Sequence, residues 1–147
     1  MNKYLNIEGS EEILSIFGRW PSFHDAEILS VFLDRNAHKG KHGPTAIIKV
    51  HCFLITNEII DNKYRTIKHN IITFAFYDVV EFELSYGFGQ QNHLSGIEIL
   101  DIRSDQLENI NYQINFDAHM TCDLHFKCSI IDVLSIEGGM PIGSVYE

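Results

Sequence analysis

The sequence predicts a mainly β, α+β fold in which an antiparallel sheet is curled or folded into a β-sandwich-like arrangement beside one short N-terminal helix. Apolar and polar residues alternate with period two in at least six short segments, and turn residues separate these segments. No stretch between them offers the dozen or so helical residues that a parallel crossover requires. The 147 residues carry no repeat or linker, so we expect a single domain spanning residues 1–147.

The first predicted element is a helix over residues 11–17. Ser10 is placed to cap its N-terminus, and Glu11 and Glu12 lie where the helix dipole favours negative charge. Gly18 offers a left-handed stop, and Pro21 then prevents helical continuation.

The remaining predicted elements are strands. They cover residues 28–35, 45–56, 72–86, 97–99, 112–116 and 122–136. Asp78 interrupts the third of these, which predicts a bulge or tight turn at residues 77–79. Residues 36–44 are predicted to form a hairpin loop and residues 63–70 a solvated loop.

The charge of the chain is distributed unevenly. Up to Asn70, nine Lys and Arg residues face eight Asp and Glu, whereas from Ile71 onward two cationic residues face twelve carboxylates. An acidic surface repels nucleic acid and anionic lipid, so neither is an expected partner. No stretch approaches the ~18 apolar residues of a membrane span, and the expected location is the cytoplasm. The odd number of cysteines, all in apolar runs, predicts reduced and buried thiols.

One spacing resembles a zinc motif. His119, Cys122, His125 and Cys128 recur every three residues. In a strand, however, the two histidines point to one side and the two cysteines to the other, so four ligands cannot converge. We therefore expect no metal site and no cofactor.

A second group of candidates surrounds the predicted start of the first strand. It consists of Trp20, Phe23, His24, Asp25 and Glu27. The structural interpretation is that the polar members bond one another or cap backbone groups at the junction between helix and strand. The functional interpretation makes them a binding surface. A third alternative is a small enzyme with its site at His24, Asp25 and Glu27, which would require a pocket and a perturbed pKa in that cluster.

Several short segments resemble one known family. They are WPSFHDAEI (residues 20–28), FYDVV (76–80), GQQN (89–92), CDLHFKC (122–128) and VLSI (133–136). Together they are similar to the bacterial immunity protein 50 family over most of the chain. The resemblance implies a non-catalytic cytoplasmic antitoxin of a polymorphic toxin system, made beside a toxin gene and neutralising that toxin by direct binding. It implies no catalytic residues.

An immunity role gives the acidic second half a candidate purpose. Five carboxylates fall on predicted outward faces of strands, and they are the expected partner-binding residues: Glu81, Glu83, Glu98, Asp117 and Asp123. Such a surface suits a basic partner, for example a nuclease domain whose substrate phosphates it would replace. Alternatively, the carboxylates only keep the protein soluble. A homodimeric structural module, formed through an exposed sheet edge or face, is a further alternative.

Overall fold

The strands form two four-stranded sheets in a computed structural model, which describes residues 6–118 and 121–146. In chain order the elements are α1 (Ser10–Phe17), β1 (Glu27–Asp34), β2 (Thr45–Ile60), β3 (Lys63–Tyr77), β4 (Val80–Ser85), β5 (Gly96–Asp101), a 3-10 turn (Arg103–Asp105), β6 (Tyr112–Asp117), β7 (Asp123–Cys128) and β8 (Ile130–Gly138). The first sheet has the order β1-β2-β3-β8 and the second the order β4-β7-β6-β5, with antiparallel pairing throughout. The predicted mainly β fold with one short helix is confirmed, and the two sheets do not close into a barrel.

The longest feature of the first sheet is the hairpin of β2 and β3. Its two-residue turn, Asp61-Asn62, has positive φ at both positions (51° and 64°), as a type I′ turn requires. The prediction of a loop at residues 63–70 is wrong, because this stretch forms the start of β3. Half of its residues are exposed and only Asn70 is buried, since the hairpin extends beyond the core. Without a buried face, no period-two pattern develops to reveal the strand.

The chain passes from one sheet to the other at two adjacent points. Asp78, with φ 54°, turns β3 into β4, and this confirms the predicted turn at residues 77–79. Ser129 separates β7 from β8, and its backbone N–H donates to the carbonyl oxygen of Tyr77 at 2.9 Å. The predicted strand over residues 122–136 is therefore two strands that belong to different sheets.

Aromatic rings from both sheets fill the space between them. Phe76 of the first sheet packs edge-to-face on Phe126 of the second, with ring centroids 4.9 Å apart, and also contacts Phe116. All three rings are buried. Burial at this scale is the main stabilising term of such a fold, at about 25 cal/mol per Å² of apolar surface.

Helix α1 packs beside β8 and buries Ile13 and Phe17. Gly18 ends it in the left-handed conformation, as predicted, and its N–H donates to the Leu14 carbonyl at 2.8 Å. The predicted cap by Ser10 is wrong: Gly9 is the N-cap, and Ser10 is the first helical residue. A Cβ at position 9 would lie 2.7 Å from the Val133 carbonyl oxygen, so the close approach to β8 requires glycine.

The cysteines and histidines of the suggested zinc spacing follow strand geometry. Cys122 and Cys128 are buried, whereas His125 is partly exposed on the opposite side of β7. His119 lies outside the described residues. Cys52 is also buried, so the prediction of buried, unpaired thiols is confirmed. Within the described residues, no helix has the length and apolar character needed to cross a membrane.

Candidate functional site

The second sheet presents one polar face to solvent, and all five carboxylates expected to bind a partner lie on it. Its inner face carries the buried residues Ile114, Phe116, Leu124 and Phe126, so the side chains between them point outward. We call the outer surface the acidic face and define it by Glu81 and Glu83 on β4, Asp123 on β7, Asp117 on β6 and Glu98 on β5. Strand order in the sheet, 4-7-6-5, brings these residues together from distant parts of the chain.

A row of paired residues crosses the acidic face from edge to edge. Strand pairing places Glu83 opposite His125, His125 opposite Asn115, and Asn115 opposite Glu98. At ~4.8 Å between strands, the row spans about 14 Å. The Asn115 amide donates to Glu98 Oε1 at 2.9 Å, and Asn115 Oδ1 lies 2.9 Å from His125 Nδ1. These bonds hold the middle of the face in one arrangement.

Most of the negative charge on the acidic face is not neutralised within the protein. Lys127 Nζ lies 2.7 Å from Glu81 Oε2 and compensates that carboxylate. No Lys or Arg in residues 6–118 or 121–146 makes an ion pair with the other four. His125 Nε2 is 3.7 Å from Asp117 Oδ1. The face therefore offers several carboxylates to a cationic partner.

The candidate cluster at residues 20–27 is divided by the fold. Trp20 and Phe23 pack against each other at 6.0 Å between ring centroids, and both contact Phe74 in the core. The side chains of His24 and Asp25 are 62% and 47% exposed, and their charged atoms are 3.9 Å apart. Two aromatic members therefore contribute to the core, whereas these two polar members face solvent.

Glu27 takes part in a different and buried arrangement. Its Oε1 lies 2.8 Å from His51 Nδ1 and accepts a 2.6 Å hydrogen bond from the Ser144 hydroxyl. His51, fully buried, places Nε2 at 2.9 Å from His69 Nδ1, and His69 Nε2 is 2.9 Å from Thr66 Oγ1. We call Glu27, His51, His69 and Thr66 the buried histidine chain. The sequence-based candidates included only its first member.

Three neighbouring strands and one bulge build the buried histidine chain. Glu27 on β1 pairs directly with His51 on β2. The register between β2 and β3 shifts near Cys52, and Lys68 adopts φ 58° there. A bulge of this kind changes the direction of the side chains that follow it. It lets His69 reach His51 although the two are not directly paired.

The surroundings of His69 disfavour its protonated form. Burial, with a further contribution from the nearby His51, lowers the pKa of His69 below its ordinary value. A neutral imidazole can accept a hydrogen bond at one nitrogen and donate at the other.

A cavity of about 530 Å³ opens beside the end of the chain at Thr66. Its walls include the aromatic rings of Phe53, Tyr64 and Tyr146, together with Lys63. Burial, followed by the charges of Asp25 and Glu27, raises the pKa of Tyr146 to about 12, so its hydroxyl stays protonated. This size falls within the range of small-molecule pockets, roughly 300–1,000 Å³.

Comparison with known proteins defines the class of this protein as an immunity protein. The model of one family, immunity protein 50, matches residues 9–139, and the chain belongs to that family. The match includes the whole acidic face, and it confirms the resemblance suggested by the short segments. No curated protein and no solved structure gives a significant match to the chain.

Proposed function

We propose that this protein is a cytoplasmic immunity protein that binds a cognate toxin directly and neutralises it without catalysis. The observation that carries the proposal is family membership over residues 9–139, because the family is defined by immunity to toxins. The acidic face is the proposed contact surface. It rests on the convergence of five carboxylates on one side of the second sheet, four of them without a Lys or Arg partner among the described residues.

Charge complementarity favours a basic partner over a second copy of the chain. Two copies would bring like charges together on the acidic face, which is unfavourable. A basic toxin domain would be attracted from a distance, and electrostatic steering accelerates association by about 10- to 1,000-fold. Neutralisation of a nuclease would follow if the carboxylates occupy the cationic groups that hold its substrate phosphates.

Leu100 supplies apolar area on the same surface. It pairs with Gln113 on the outer side of the sheet and is 41% exposed. Interfaces combine such apolar contacts with a polar rim, since burial of apolar area slows dissociation whereas charge mainly sets the association rate. We therefore expect the charges to control capture of the toxin and Leu100 to contribute to its retention.

A pull-down from the native host, followed by mass spectrometry, first identifies the bound protein. The binding test then uses the toxin encoded next to the gene of this chain. Association with the purified toxin domain is measured by stopped flow over a range of ionic strength. Glu81→Lys/Glu83→Lys should slow association at least about tenfold at low salt and flatten its salt dependence.

The matched control reverses the charge of two carboxylates that lie outside the acidic face. Glu58 and Glu137 lie exposed on β2 and β8 of the first sheet, so Glu58→Lys/Glu137→Lys leaves the acidic face intact. It should associate nearly as fast as the wild type. Equal rates for the wild type and the acidic-face variant would refute this contact surface, and no binding by the wild-type protein would refute neutralisation by direct binding.

A further inference from the structure

The hydrogen atoms of the buried histidine chain have one consistent arrangement when both rings are neutral and Glu27 is ionised. A carboxylate only accepts, so His51 Nδ1 must donate to Glu27. His51 Nε2 then accepts from His69 Nδ1–H, and His69 Nε2 accepts from the Thr66 hydroxyl. These tautomers are assigned from the hydrogen-bond network. With these tautomers each group donates toward Glu27, and the three bonds are 2.8 or 2.9 Å long.

In this arrangement His69 Nε2 is a base that accepts a hydrogen bond from the Thr66 hydroxyl, and the Glu27 carboxylate lies at the other end of the chain. A hydroxyl becomes a useful nucleophile when an adjacent base removes its proton as the new bond forms. The second imidazole and the carboxylate orient that base and stabilise the positive charge it acquires. The cavity beside Thr66 supplies space for an electrophile, and its walls carry both the cationic Lys63 and the carboxylate of Asp25.

We propose that Thr66 is an activated nucleophile that accepts an acyl group from a small activated ester in this cavity. His69 acts as its general base, and His51 and Glu27 are positioning residues. This activity is separate from toxin binding, because Thr66 lies on β3 of the first sheet whereas the acidic face belongs to the second.

The proposed step balances as an acyl transfer. Thr66 Oγ1 forms a bond to the carbonyl carbon of the ester, and the Thr66 proton passes to His69 Nε2. The bond between the carbonyl carbon and the leaving oxygen breaks, and the leaving group departs as an alkoxide or phenolate. His69 then gives its proton to the oxygen of the leaving group. The products are an ester of Thr66 and a free alcohol or phenol, with no oxidation or reduction.

The test uses p-nitrophenyl acetate as the ester and the intact protein as the acceptor. Peptide mass spectrometry over time gives an acetylation rate for each hydroxyl. Thr56 on the neighbouring β2 is an internal control, since its hydroxyl donates to the Arg65 carbonyl and contacts no imidazole among the described residues. Thr66 should be acetylated at least about 100-fold faster than Thr56.

Three variants test whether the acetylation rate of Thr66 depends on the buried histidine chain. Thr66→Val should abolish acetylation at position 66, and Thr66→Ser should retain it. His69→Gln should slow it by about 100-fold, with circular dichroism establishing that the variant is folded. Acetylation of Thr66 at the rate of Thr56 in the wild-type protein would overturn the proposal, and so would an unchanged rate in a folded His69→Gln protein.

Discussion

The side chain of Asp78 is expected to contribute a large part of the stability of this fold. It is 3% exposed and lies at the turn where the chain passes between the sheets. Its carboxylate accepts hydrogen bonds from the backbone N–H groups of Lys41, His42 and Gly43 at 2.8 to 3.1 Å. It also accepts from the side chains of Asn109 and Ser129, each at 2.7 Å.

The number of these bonds allows the loss in free energy of unfolding caused by Asp78→Asn to be estimated. A hydrogen bond to a charged group contributes about 1.5–3 kcal/mol, and a neutral bond about 0.5–1.5 kcal/mol. Loss of the charge therefore costs about 1 kcal/mol for each bond. With five donors on the carboxylate, we expect the free energy of unfolding to fall by about 3 to 5 kcal/mol. This is a large fraction of a typical total of about 5–15 kcal/mol.

The pKa of Asp78 adds a pH dependence. Burial opposes ionisation, but the hydrogen bonds from His42, Ser129, Asn109 and Lys41 outweigh it and hold the pKa of this carboxyl well below its usual value. A lowered pKa stabilises the native state at pH values above the unfolded pKa of about 3.9. That contribution is lost as the pH falls from this value toward the folded pKa. The acid decline of stability should therefore be shallower in Asp78→Asn.

Urea unfolding followed by the fluorescence of the single tryptophan, Trp20, measures both effects. The two proteins are compared by their midpoints at equal slope, from pH 7 down to pH 3. Asp101→Asn is the control for the midpoint at pH 7, because the exposed Asp101 carboxylate bonds Arg103 only two residues away. A loss below about 1 kcal/mol in Asp78→Asn, or the same acid decline in this variant and the wild type, would contradict the stabilising role of the Asp78 carboxylate.

Three further predictions concern the core, a loop glycine and the thiols. Phe126→Ala should reduce the free energy of unfolding by about 3–5 kcal/mol in the same urea assay, whereas Leu134→Ala, at a half-exposed position, should cost far less. Gly40→Ala should lower the melting temperature, since φ is +84° and the new Cβ would lie 2.6 Å from Asp78 Oδ2; an unchanged temperature would contradict this. Burial raises the pKa of Cys52 to about 12 and also raises those of Cys122 and Cys128, so a thiol reagent at pH 8 should modify all three only after unfolding, and rapid reaction of the native protein would contradict the buried placement.

The sequence predicts strands well where one face is buried. In β7 the alternation of Leu124 and Phe126 with His125 and Lys127 predicted the orientation of each side chain, and the structure has the same alternation. It did not reveal that β7 and β8 belong to different sheets, because the exchange at Ser129 depends on pairing with distant strands. The exposed start of β3 was missed for the same physical reason, since propensity and pattern are weak without burial.

The candidate site was likewise predicted where the local sequence was sufficient, and missed where contacts between distant segments decide the geometry. Period two placed each residue of the acidic face on an outward side, but only the strand order brings Glu83 and Glu98 into one row. Adjacency in sequence grouped Glu27 with His24 and Asp25, yet in the fold Glu27 contacts His51 instead. His69 was overlooked because its segment was interpreted as a loop.

A growth assay in cells that express the cognate toxin tests immunity and the role of the acidic face together. Each culture also carries the wild-type protein, Glu81→Lys/Glu83→Lys or the control Glu58→Lys/Glu137→Lys, all at equal abundance. We expect growth with the wild type and the control, and much weaker protection by the acidic-face variant. Equal protection by all three would contradict the role of the acidic face, and no protection by the wild type would contradict the immunity function itself.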